Sequence, residues 1–333
     1  MSRDEDRAWP WDDVEFTPGP LERDATFYVA GHRGMVGSAI VRKLEAEGFT
    51  DVVGASSAEL DLTDRAAVHD WFARTTPAYV ALAAAKVGGI LANDTYPVDF
   101  LSENLQIQVN VLDAARVHGV QRLIFLGSSC IYPKFATQPI DEDALLTGHL
   151  ERTNDAYAIA KIAGIMHVQA VRRQYGLPWI SAMPTNLYGP GDNFSPTGSH
   201  VLPALIRRYH EAARDGADTV TNWGTGTPRR EFLHVDDLAD AVLHLLEHHD
   251  GPQQVNVGTG SDVTIADIAH TVATVTGYTG TTAWDTTKPD GTPQKLLDVS
   301  RLADAGWTAR TSLEDGLRST YEWYLEHIDQ LRE

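Results

Sequence analysis

Cysteine and long apolar runs are scarce in this chain of 333 residues. The single cysteine, Cys130, excludes an internal disulfide framework and a cysteine-rich metal site, so no metal is expected. No apolar run approaches the roughly 18 residues that a membrane-spanning helix needs. The N-terminus is acidic and lacks the apolar segment of a secretory signal, which leads us to expect a cytoplasmic protein.

Lysine is rare as well. Only six of the 27 cationic side chains are lysines, against 46 carboxylates, and the formal net charge is −19. Such a surface repels nucleic acid and anionic membranes, so neither is expected as a partner. The balance fits an ordinary acidic enzyme, but abundant aspartate with little lysine also predicts a halophilic protein, because salt screens the repulsion between like charges.

What the chain does contain is a regular alternation of apolar strands and helices. Strands are predicted at 26–30, 51–55, 78–85, 122–129 and 179–184. Helices are predicted at 38–48, 63–75, 103–119, 154–175 and near 200–214, with a further strand–helix unit at 254–275. Because the strands lack polar alternation, they predict a parallel sheet covered by helices on both faces, the Rossmann-type doubly wound α/β fold.

Three regions are predicted along the chain. Residues 1–24 are acidic and contain three prolines, which predicts a flexible leader. Residues 25–184 and about 231–260 are predicted to form the dinucleotide-binding Rossmann domain. Residues of about 185–230 and 261–333 are predicted to form a smaller substrate-binding lobe.

A phosphate-binding loop is predicted at VAGHRGMVGSAI. Gly31, Gly34 and Gly37 follow the first strand directly and precede the first helix. Glycines allow a tight turn and a close approach of the backbone to a pyrophosphate, which the helix N-terminus then holds. The alternative is a set of simple turn glycines. The strand–turn–helix context favours a dinucleotide site.

The choice of cofactor depends on residues near the second strand. Arg33 lies within the glycine loop and can meet a 2′-phosphate, and no acidic residue stands at the strand tip to bind a ribose diol. These features favour NADP over NAD. Asp61 and Leu62 come slightly later, where they either border the adenine or form a helix-entry turn.

Proton transfer is predicted from Tyr157 and Lys161, which are four residues apart on one helix and so share a face. An adjacent ammonium and an oxidised nicotinamide both favour the phenolate, so Tyr157 can exchange a proton with a substrate carbonyl. Ser128 ends the preceding strand and can hydrogen-bond that carbonyl. The alternative for Ser128 is a strand-end turn residue.

The GxxGxxG array, the strand-end serine and the YxxxK pair together resemble the extended short-chain dehydrogenase/reductases. The stretches GHRGMVGSAI, GSSCIYPK, YAIAKIAGI, MPTNLYGPGDNF, SHVLPALIRR and KPDGTPQKLLDVSRL are similar to those of the GDP-L-fucose synthase family, over about residues 25–330. That family acts as a 3,5-epimerase/4-reductase on GDP-4-keto-6-deoxy-D-mannose. The resemblance implies NADPH as hydride donor and a nucleotide-sugar site in the smaller lobe.

The resemblance also explains the lone cysteine. A plain reductase needs only the serine, tyrosine and lysine, whereas inversion at C3 and C5 needs two further acid–base groups. The resemblance implies Cys130 and His200 for these roles, alongside Tyr157, Lys161 and Ser128. Without it, core packing would account for Cys130 and a helix start would account for His200.

Binding contacts are implied in the same way. The implied cofactor contacts are Gly31, His32, Arg33, Gly34, Met35, Val36, Gly37, Asp61, Leu62, Leu126, Gly127, Ser128, Ser129, Lys161, Pro184, Thr185, Asn186, Leu187 and His200. The implied substrate contacts are Arg208, Trp223, Arg230 and Asp290. Solvated surface cations are the alternative for the arginines. Ser57 stands where many members carry an arginine for the 2′-phosphate, so NAD remains possible as a cofactor.

Other functions on this scaffold remain open. Another nucleotide-sugar 4-epimerase, 4,6-dehydratase or plain 4-reductase is the main alternative, although Cys130-Ile131 replaces the Asp-Glu pair usual in dehydratases. A non-catalytic NADP-binding protein typically lacks the Tyr157 and Lys161 pair. The helices at 103–119 and 154–175 match those of a dimer interface in related enzymes, so a homodimer is expected.

Overall fold

The computed structural model of the protein describes residues 17–196, 198–288 and 290–331. Its strands, in chain order, are β1 (Phe27–Ala30), β2 (Val52–Val53), β3 (Tyr79–Leu82), β4 (Arg122–Leu126), β5 (Ile180–Pro184), β6 (Asn186–Tyr188), β7 (Thr219–Trp223), β8 (Arg229–Arg230), β9 (Phe232–His234), β10 (Val255–Val257), β11 (Val263–Thr264), β12 (Thr281–Asp285) and β13 (Gln294–Lys295).

The helices, in the same order, are α1 (Met35–Ala46), α2 (Arg65–Thr75), α3 (Ile90–Thr95), α4 (Pro97–Val117), α5 (Asp155–Tyr175), α6 (Val201–Asp215), α7 (Val235–His248), α8 (Ile265–Thr276), α9 (Ser300–Asp304) and α10 (Leu313–His327). None of the helices in the part of the chain that the structure describes is long and apolar enough to cross a membrane.

A parallel sheet forms the centre of the fold, with the strand order β10-β5-β4-β3-β1-β2. The predicted doubly wound α/β fold is therefore confirmed. The chain runs outward from β1 to β2 and then returns to β3 on the other side of β1. Such a reversal opens a crevice at the carboxyl ends of the strands, which is where ligands of doubly wound sheets bind.

Apolar side chains cover both faces of the sheet. On one face, α1 and α7 contribute Ile40, Leu44, Leu238 and Val242 to a single buried cluster. The helices α2, α4 and α5 cover the other face with a second cluster, whose members include Phe72, Val111, Ile162 and Ile165. Since both faces are buried, the strands need no polar alternation, which explains their uniformly apolar sequences.

A third apolar cluster lies in the part of the chain predicted to bind substrate. It joins α6, α8 and α10 through Leu205, Ile268, Val272 and Leu317. Two small sheets accompany it, β12-β7 and β11-β8-β13. The strands β8 and β13 pair in parallel, which sets Arg230 opposite Lys295.

Residues 1–16 of the predicted leader 1–24 lie outside the described residues. The remainder of that segment packs against the body of the protein. Leu21 is buried in the core, and its N–H donates to Glu247 Oε1 at 3.1 Å. The Arg23 guanidinium pairs with the same carboxylate.

Candidate active site

The glycine loop lies at the carboxyl end of β1, where the chain turns into α1. Gly31 has a φ of +85°, which favours glycine, and its carbonyl accepts the N–H of Gly34 at 3.0 Å. A Cβ added at Gly37 would lie 2.1 Å from the Gly31 carbonyl oxygen. The loop therefore folds onto itself only without side chains at these positions. With the N-terminus of α1, it fits the pyrophosphate of a dinucleotide.

The other loop residues face the turn after β2. His32 packs over the end of that strand, since a Cβ added at Gly54 would lie 2.3 Å from the His32 ring. Hydrogen bonds from Ser56 lower the pKa of Glu59, and the charges of Arg33 and His32 add to this effect. Arg33 is exposed, as is Ser57. Arg33 thus presents a cation close to the place where a 2′-phosphate is expected. Met35 and Val36 form the first turn of α1 and are partly buried.

Asp61 and Leu62 lie in the turn that leads into α2. Asp61 Oδ1 accepts hydrogen bonds from the N–H and hydroxyl of Thr63, at 2.8 and 2.7 Å. The Leu62 carbonyl accepts from Asn110 Nδ2 at 3.0 Å. The Thr63 contacts are those of a helix-entry turn, which was the alternative for both residues, and the Asn110 contact joins this turn to α4. A contact of either residue with adenine stays a prediction.

The carboxyl end of β4 brings a serine and the cysteine to one place. After Leu126, the N–H of Gly127 bonds to the Ala182 carbonyl at 2.9 Å and continues the sheet. Ser128 then caps a short 3₁₀ turn, Ser129–Ile131, and its Oγ accepts the N–H of Cys130 at 3.3 Å. Because the turn is tight, the side chains of Ser128 and Cys130 both lie at the carboxyl end of β4.

Helix α5 supplies Tyr157 and Lys161. Lys161 is only 4% exposed, and its Nζ donates to the Leu126 carbonyl at 2.8 Å. The same Nζ lies 5.8 Å from the centre of the Tyr157 ring. Burial lowers the pKa of Lys161 to about 8. The helix therefore ties the lysine to the end of β4 and sets the tyrosine beside the Ser128–Cys130 turn.

The ionisation of Tyr157 differs from the sequence-based expectation. Burial raises the pKa of Tyr157, a neighbouring charge at Cys130 raises it further, and hydrogen bonding to Ser128 lowers it. Desolvation is the largest of these effects, and the Lys161 ammonium donates to a backbone carbonyl and not to the Tyr157 hydroxyl. The protein alone thus keeps Tyr157 in the protonated form, which is the form that donates a proton.

Two polar groups from distant segments contact the thiol. Asn154 Nδ2 lies 3.3 Å from Cys130 Sγ, and Lys295 Nζ lies 3.7 Å from the same atom. Neither residue was predicted from the sequence to take part in the site. Asn154 stands three positions before Tyr157 at the start of α5, and Lys295 lies within KPDGTPQKLLDVSRL. Their position beside recognised motifs was the available signal.

The segment 184–187 crosses the carboxyl end of the sheet. Pro184 pairs with Val257 of β10, and the N–H of Thr185 bonds to the Val257 carbonyl at 3.0 Å. Asn186 Nδ2 donates to the Glu231 carbonyl at 2.8 Å, and Leu187 packs on the core. In the sheet order, β5, which ends at Pro184, is next to β4, whose end leads into the Ser128 turn. The implied contacts of this segment with the nicotinamide stay predictions.

Glu231 connects this segment to two others. Its carboxylate is fully buried and accepts the N–H groups of Thr259, Gly260 and Leu297, at 2.7, 2.8 and 3.0 Å. Burial raises the pKa of Glu231, and these hydrogen bonds lower it. Through its backbone and side chain, Glu231 fixes the strand β13 that carries Lys295. No role was predicted for Glu231 from the sequence.

His200 is the N-cap residue of α6. The residue is exposed overall, yet the protein atoms around its ring desolvate it and lower the pKa of His200. Among the described residues, it makes no hydrogen bond to Cys130 or Tyr157. Its neighbour Ser199 lies against the loop before α3, because a Cβ added at Gly89 would lie 3.4 Å from the Ser199 carbonyl oxygen.

In each of the two arginine pairs, one member forms a salt bridge and the other does not. Arg207 pairs with Glu211 at 2.8 Å and Arg229 pairs with Asp262 at 2.7 Å. Arg208 instead donates to Asn222 Oδ1 at 2.8 Å, and Arg230 donates to the Arg229 carbonyl at 2.7 Å. Over the described ranges, no carboxylate lies within salt-bridge distance of Arg208 or Arg230. In an acidic chain, two such cations are well suited to a diphosphate.

Trp223 is the last residue of β7, and Asp290 contacts the loop that follows this strand. Trp223 is 70% exposed, and Lys288 Nζ lies 5.6 Å from its ring centre. Asp290 accepts hydrogen bonds from the N–H and hydroxyl of Thr225, at 2.9 and 2.7 Å. An exposed indole of this kind can stack on a base or a sugar.

Comparison with known proteins places this site in a family. The model of the NAD dependent epimerase/dehydratase family matches residues 27–258. The GDP-L-fucose synthase 1 of Arabidopsis thaliana is 61% identical over 307 residues, which cover 92% of this chain and 95% of the relative. The GDP-L-fucose synthase of Escherichia coli strain K12 is 55% identical over 314 residues, covering 92% and 98% respectively.

A solved structure agrees with these relatives. The GDP-L-fucose synthetase from Naegleria fowleri bound to NADP superposes with a TM-score of 0.88 at 29% identity, covering 96% of this chain and 98% of that chain. Residues 27–258, which the family model matches, include the glycine loop, the Ser128 turn and the Tyr157 helix. The chain belongs to the NAD dependent epimerase/dehydratase family and, within it, to the family of the GDP-L-fucose synthases.

Proposed function

We propose that the protein converts GDP-4-keto-6-deoxy-D-mannose to GDP-L-fucose, by 3,5-epimerisation followed by NADPH-dependent reduction of the C4 ketone. The observation that carries this proposal is the position of Cys130. Its thiol leaves the same turn as Ser128 and stands beside Tyr157, so a reductase site contains an additional acid–base group.

In the proposed epimerisation, the C4 ketone acidifies the hydrogens on C3 and C5. One of the pair Cys130 and His200 removes such a proton, and the electron pair moves to the ketone oxygen as an enolate. Ser128 and Tyr157 stabilise that oxygen by hydrogen bonding. The other member of the pair returns a proton to the opposite face of the carbon, which inverts the centre.

In the proposed reduction, the bound cofactor supplies a hydride to C4. Gly31, Gly34 and Gly37 would hold its pyrophosphate, and the segment 184–187 would line the nicotinamide. Tyr157 then donates its proton to the C4 oxygen, since burial keeps the hydroxyl protonated. Lys161, held on the Leu126 carbonyl, orients Tyr157 from the next turn of α5.

We propose Arg208 and Arg230 as the cations that bind the diphosphate of the nucleotide sugar. The support is that neither has a carboxylate partner among the described residues, while their neighbours Arg207 and Arg229 do. Trp223 and Asp290 would contact the nucleotide and the sugar. His200 precedes the helix that carries Arg208, which relates the acid–base group to the phosphate site.

The division into two domains is proposed with the same boundaries as before. Residues 25–184 and about 231–260 would bind NADP, and about 185–230 and 261–333 would bind the nucleotide sugar. Support comes from the apolar clusters, because the central sheet and the α6–α8–α10 group have separate cores.

A homodimer through α4 and α5 is proposed as the assembly. These two long helices carry apolar side chains that face away from the sheet, and Val109, Val117, Ile159 and Met166 are exposed. A second copy of the same helix pair would bury this surface in a four-helix arrangement. We further propose a halophilic enzyme, on the strength of the net charge of −19. The cytoplasmic location expected from the sequence is kept as a proposal.

The experiment that tests the function is a product analysis in D₂O. Purified protein, GDP-4-keto-6-deoxy-D-mannose and NADPH are combined at high salt, and NMR identifies the product and its deuterium. We expect GDP-L-fucose with deuterium at C3 and C5. A reduced sugar in the D-manno or D-talo configuration without deuterium would instead establish a plain 4-reductase, and Cys130 would be a packing residue.

Arg33→Ala is expected to weaken NADPH binding with little effect on NADH. A charge-assisted contact with a 2′-phosphate is worth on the order of tenfold in affinity, and NADH lacks this group. The measurement is KM for each cofactor, with kcat unchanged for NADPH. Arg74→Ala, which removes an exposed cation at the end of α2, is the matched control. Equal losses for both cofactors would assign Arg33 a role other than phosphate binding.

A further inference from the structure

We propose that Lys295 and Asn154 are positioning residues for Cys130, which hold its sulfur as a thiolate directed at the substrate. The inference rests on the proposed function, because it concerns the group that exchanges protons with C3 and C5. Lys295 and Asn154 are thus two further residues of the candidate active site.

Lys295 has an unusual partner for a lysine in so acidic a chain. Lys43, Lys86 and Lys134 each form a salt bridge with a carboxylate, at 2.6 to 2.8 Å. In the part of the chain that the structure describes, no carboxylate lies within salt-bridge distance of Lys295. Its Nζ lies instead 3.7 Å from Cys130 Sγ. A half-buried ammonium at this distance from a sulfur favours the anionic form of that sulfur.

Asn154 contacts the same sulfur atom and does not cap its helix with its side chain. It is the N-cap residue of α5, where an asparagine side chain commonly accepts a backbone N–H of the first turn. Asn154 makes no such bond; its Nδ2 points to Cys130 Sγ at 3.3 Å. Its Oδ1 is buried without a hydrogen-bond partner in the described residues. Burying an unpaired amide oxygen costs free energy, so its orientation calls for a functional explanation.

The two residues approach the thiol from different directions. Lys295 arrives on β13, where Arg230 of β8 is its neighbour across the strand pair. Asn154 arrives at the start of α5, one turn before Tyr157, whose pKa a charge at Cys130 raises. Among the described residues, Lys295 contacts the sulfur and Tyr157 responds to its charge. An ammonium favours the thiolate, and a neutral tyrosine beside it adds no opposing charge.

This arrangement also provides an acceptor for the proton that leaves the substrate carbon. When the thiolate takes hydrogen from carbon, the C–H bond breaks, an S–H bond forms and the electron pair passes to the ketone oxygen. His200 then gives a proton to the opposite face of the carbon. The thiol releases its own proton to solvent, from which His200 is reprotonated, and the sulfur is again a thiolate beside the ammonium and the amide. Lys295 and Asn154 stay in place throughout, so each turnover starts from the same protonation state.

The single cysteine makes the test direct, since iodoacetamide can alkylate no other thiol in the full chain. The alkylation rate is followed against pH for the wild type, Lys295→Met, Lys295→Arg and Asn154→Ala. We expect the pH midpoint of alkylation to rise by about one unit or more in Lys295→Met. Asn154→Ala should give a smaller rise, and Lys295→Arg should stay close to the wild type. Lys43→Met, which removes a paired lysine from α1, is the control and should leave the midpoint unchanged.

A second readout separates this proposal from the proposed function. Incorporation of deuterium at C3 and C5 should fall on the order of tenfold in Lys295→Met, with reduction of the ketone less affected. Equal midpoints for Lys295→Met, Asn154→Ala and Lys43→Met would overturn the proposal, whatever product the enzyme makes. In another outcome, the alkylation midpoint rises in Lys295→Met, but the wild-type enzyme forms no product with deuterium at C3 or C5. That outcome would uphold the Lys295–Cys130 pair and reject the epimerase function. If Lys295→Met does not fold, Asn154→Ala alone must raise the midpoint, and its failure to do so would reject the proposal.

Discussion

Tyr157→Phe is expected to lower the rate of ketone reduction by about 10²–10⁴-fold, the usual contribution of a positioned general acid. The ring of phenylalanine can keep the edge-to-face contact with Phe100, whose ring centre lies 6.4 Å away, so the fold should be preserved. Only the hydroxyl is lost, and with it the proton for the C4 oxygen. The measurement is NADPH oxidation with GDP-4-keto-6-deoxy-D-mannose as substrate.

Deuterium exchange at C3 and C5 should suffer less in this variant. Ser128 still donates to the ketone oxygen, and Cys130 and His200 are unchanged. Tyr175→Phe removes a hydroxyl at the other end of the same helix, where the group is exposed and accepts from Gln174, and it is the matched control. A Tyr157→Phe enzyme as fast as this control would show that another residue protonates the alkoxide.

Gly37→Ala is expected to raise the Kd for NADPH by roughly 100-fold. The new Cβ would lie 2.1 Å from the carbonyl oxygen and 2.6 Å from the carbonyl carbon of Gly31. Both atoms belong to the backbone, so no side chain can turn aside and the loop itself must move. A displacement of about 1 Å in a loop that positions a ligand can lower its productive binding by a factor of about this size.

Cofactor binding can be followed by titrating the quenching of tryptophan fluorescence with NADPH. Gly19→Ala is the control, because no atom lies within 4 Å of the position of its added Cβ. Thermal unfolding should show Gly37→Ala folded, since the strands of the central sheet are unaffected. Tight NADPH binding by Gly37→Ala would mean that the pyrophosphate lies elsewhere than against α1.

The sheet was predictable because its strands are apolar throughout and its helices begin and end at clear signals. The strand predicted at 122–129 is shorter in the structure, Arg122–Leu126, because the two serines leave the ladder to form the 3₁₀ turn. The helix predicted at 103–119 begins earlier, at Pro97, since proline is well tolerated in the first turn of a helix. These differences arise where local propensity gives way to the geometry of the site.

Helix α7 (Val235–His248) was not predicted. Its buried side chains pack against α1 at the back of the sheet, a contact between segments some 200 positions apart in the chain. The helical spacing of Leu238, Val242 and Leu245 was the available signal for the helix, whereas its contact with α1 leaves no local signal. The pairing of β8 with β13, which helps to bring Lys295 within reach of Cys130, leaves no local signal either.

The candidate site was predictable to the extent that motifs carry it. Ser128, Tyr157 and Lys161 were placed on a strand end and the following helix by spacing, and the structure brings them together. Cys130 was explained by resemblance, and its contacts to Asn154 and Lys295 could not be inferred from spacing. Ionisation was the least predictable property, because the pKa of Tyr157 depends on burial, which three-dimensional packing determines.

Glu231 has a consequence for how the protein responds to ionic strength. The many carboxylates on the surface repel one another less as salt is added, so the stability of the whole chain should depend strongly on salt. Glu231 is fully buried and bonded to three backbone N–H groups, so mobile ions cannot reach it. The spatial relation of β13, the segment 184–187 and the Cys130 turn should therefore be the same in dilute buffer and in brine. Salt would change how much of the protein is folded, while each folded molecule keeps the same active site.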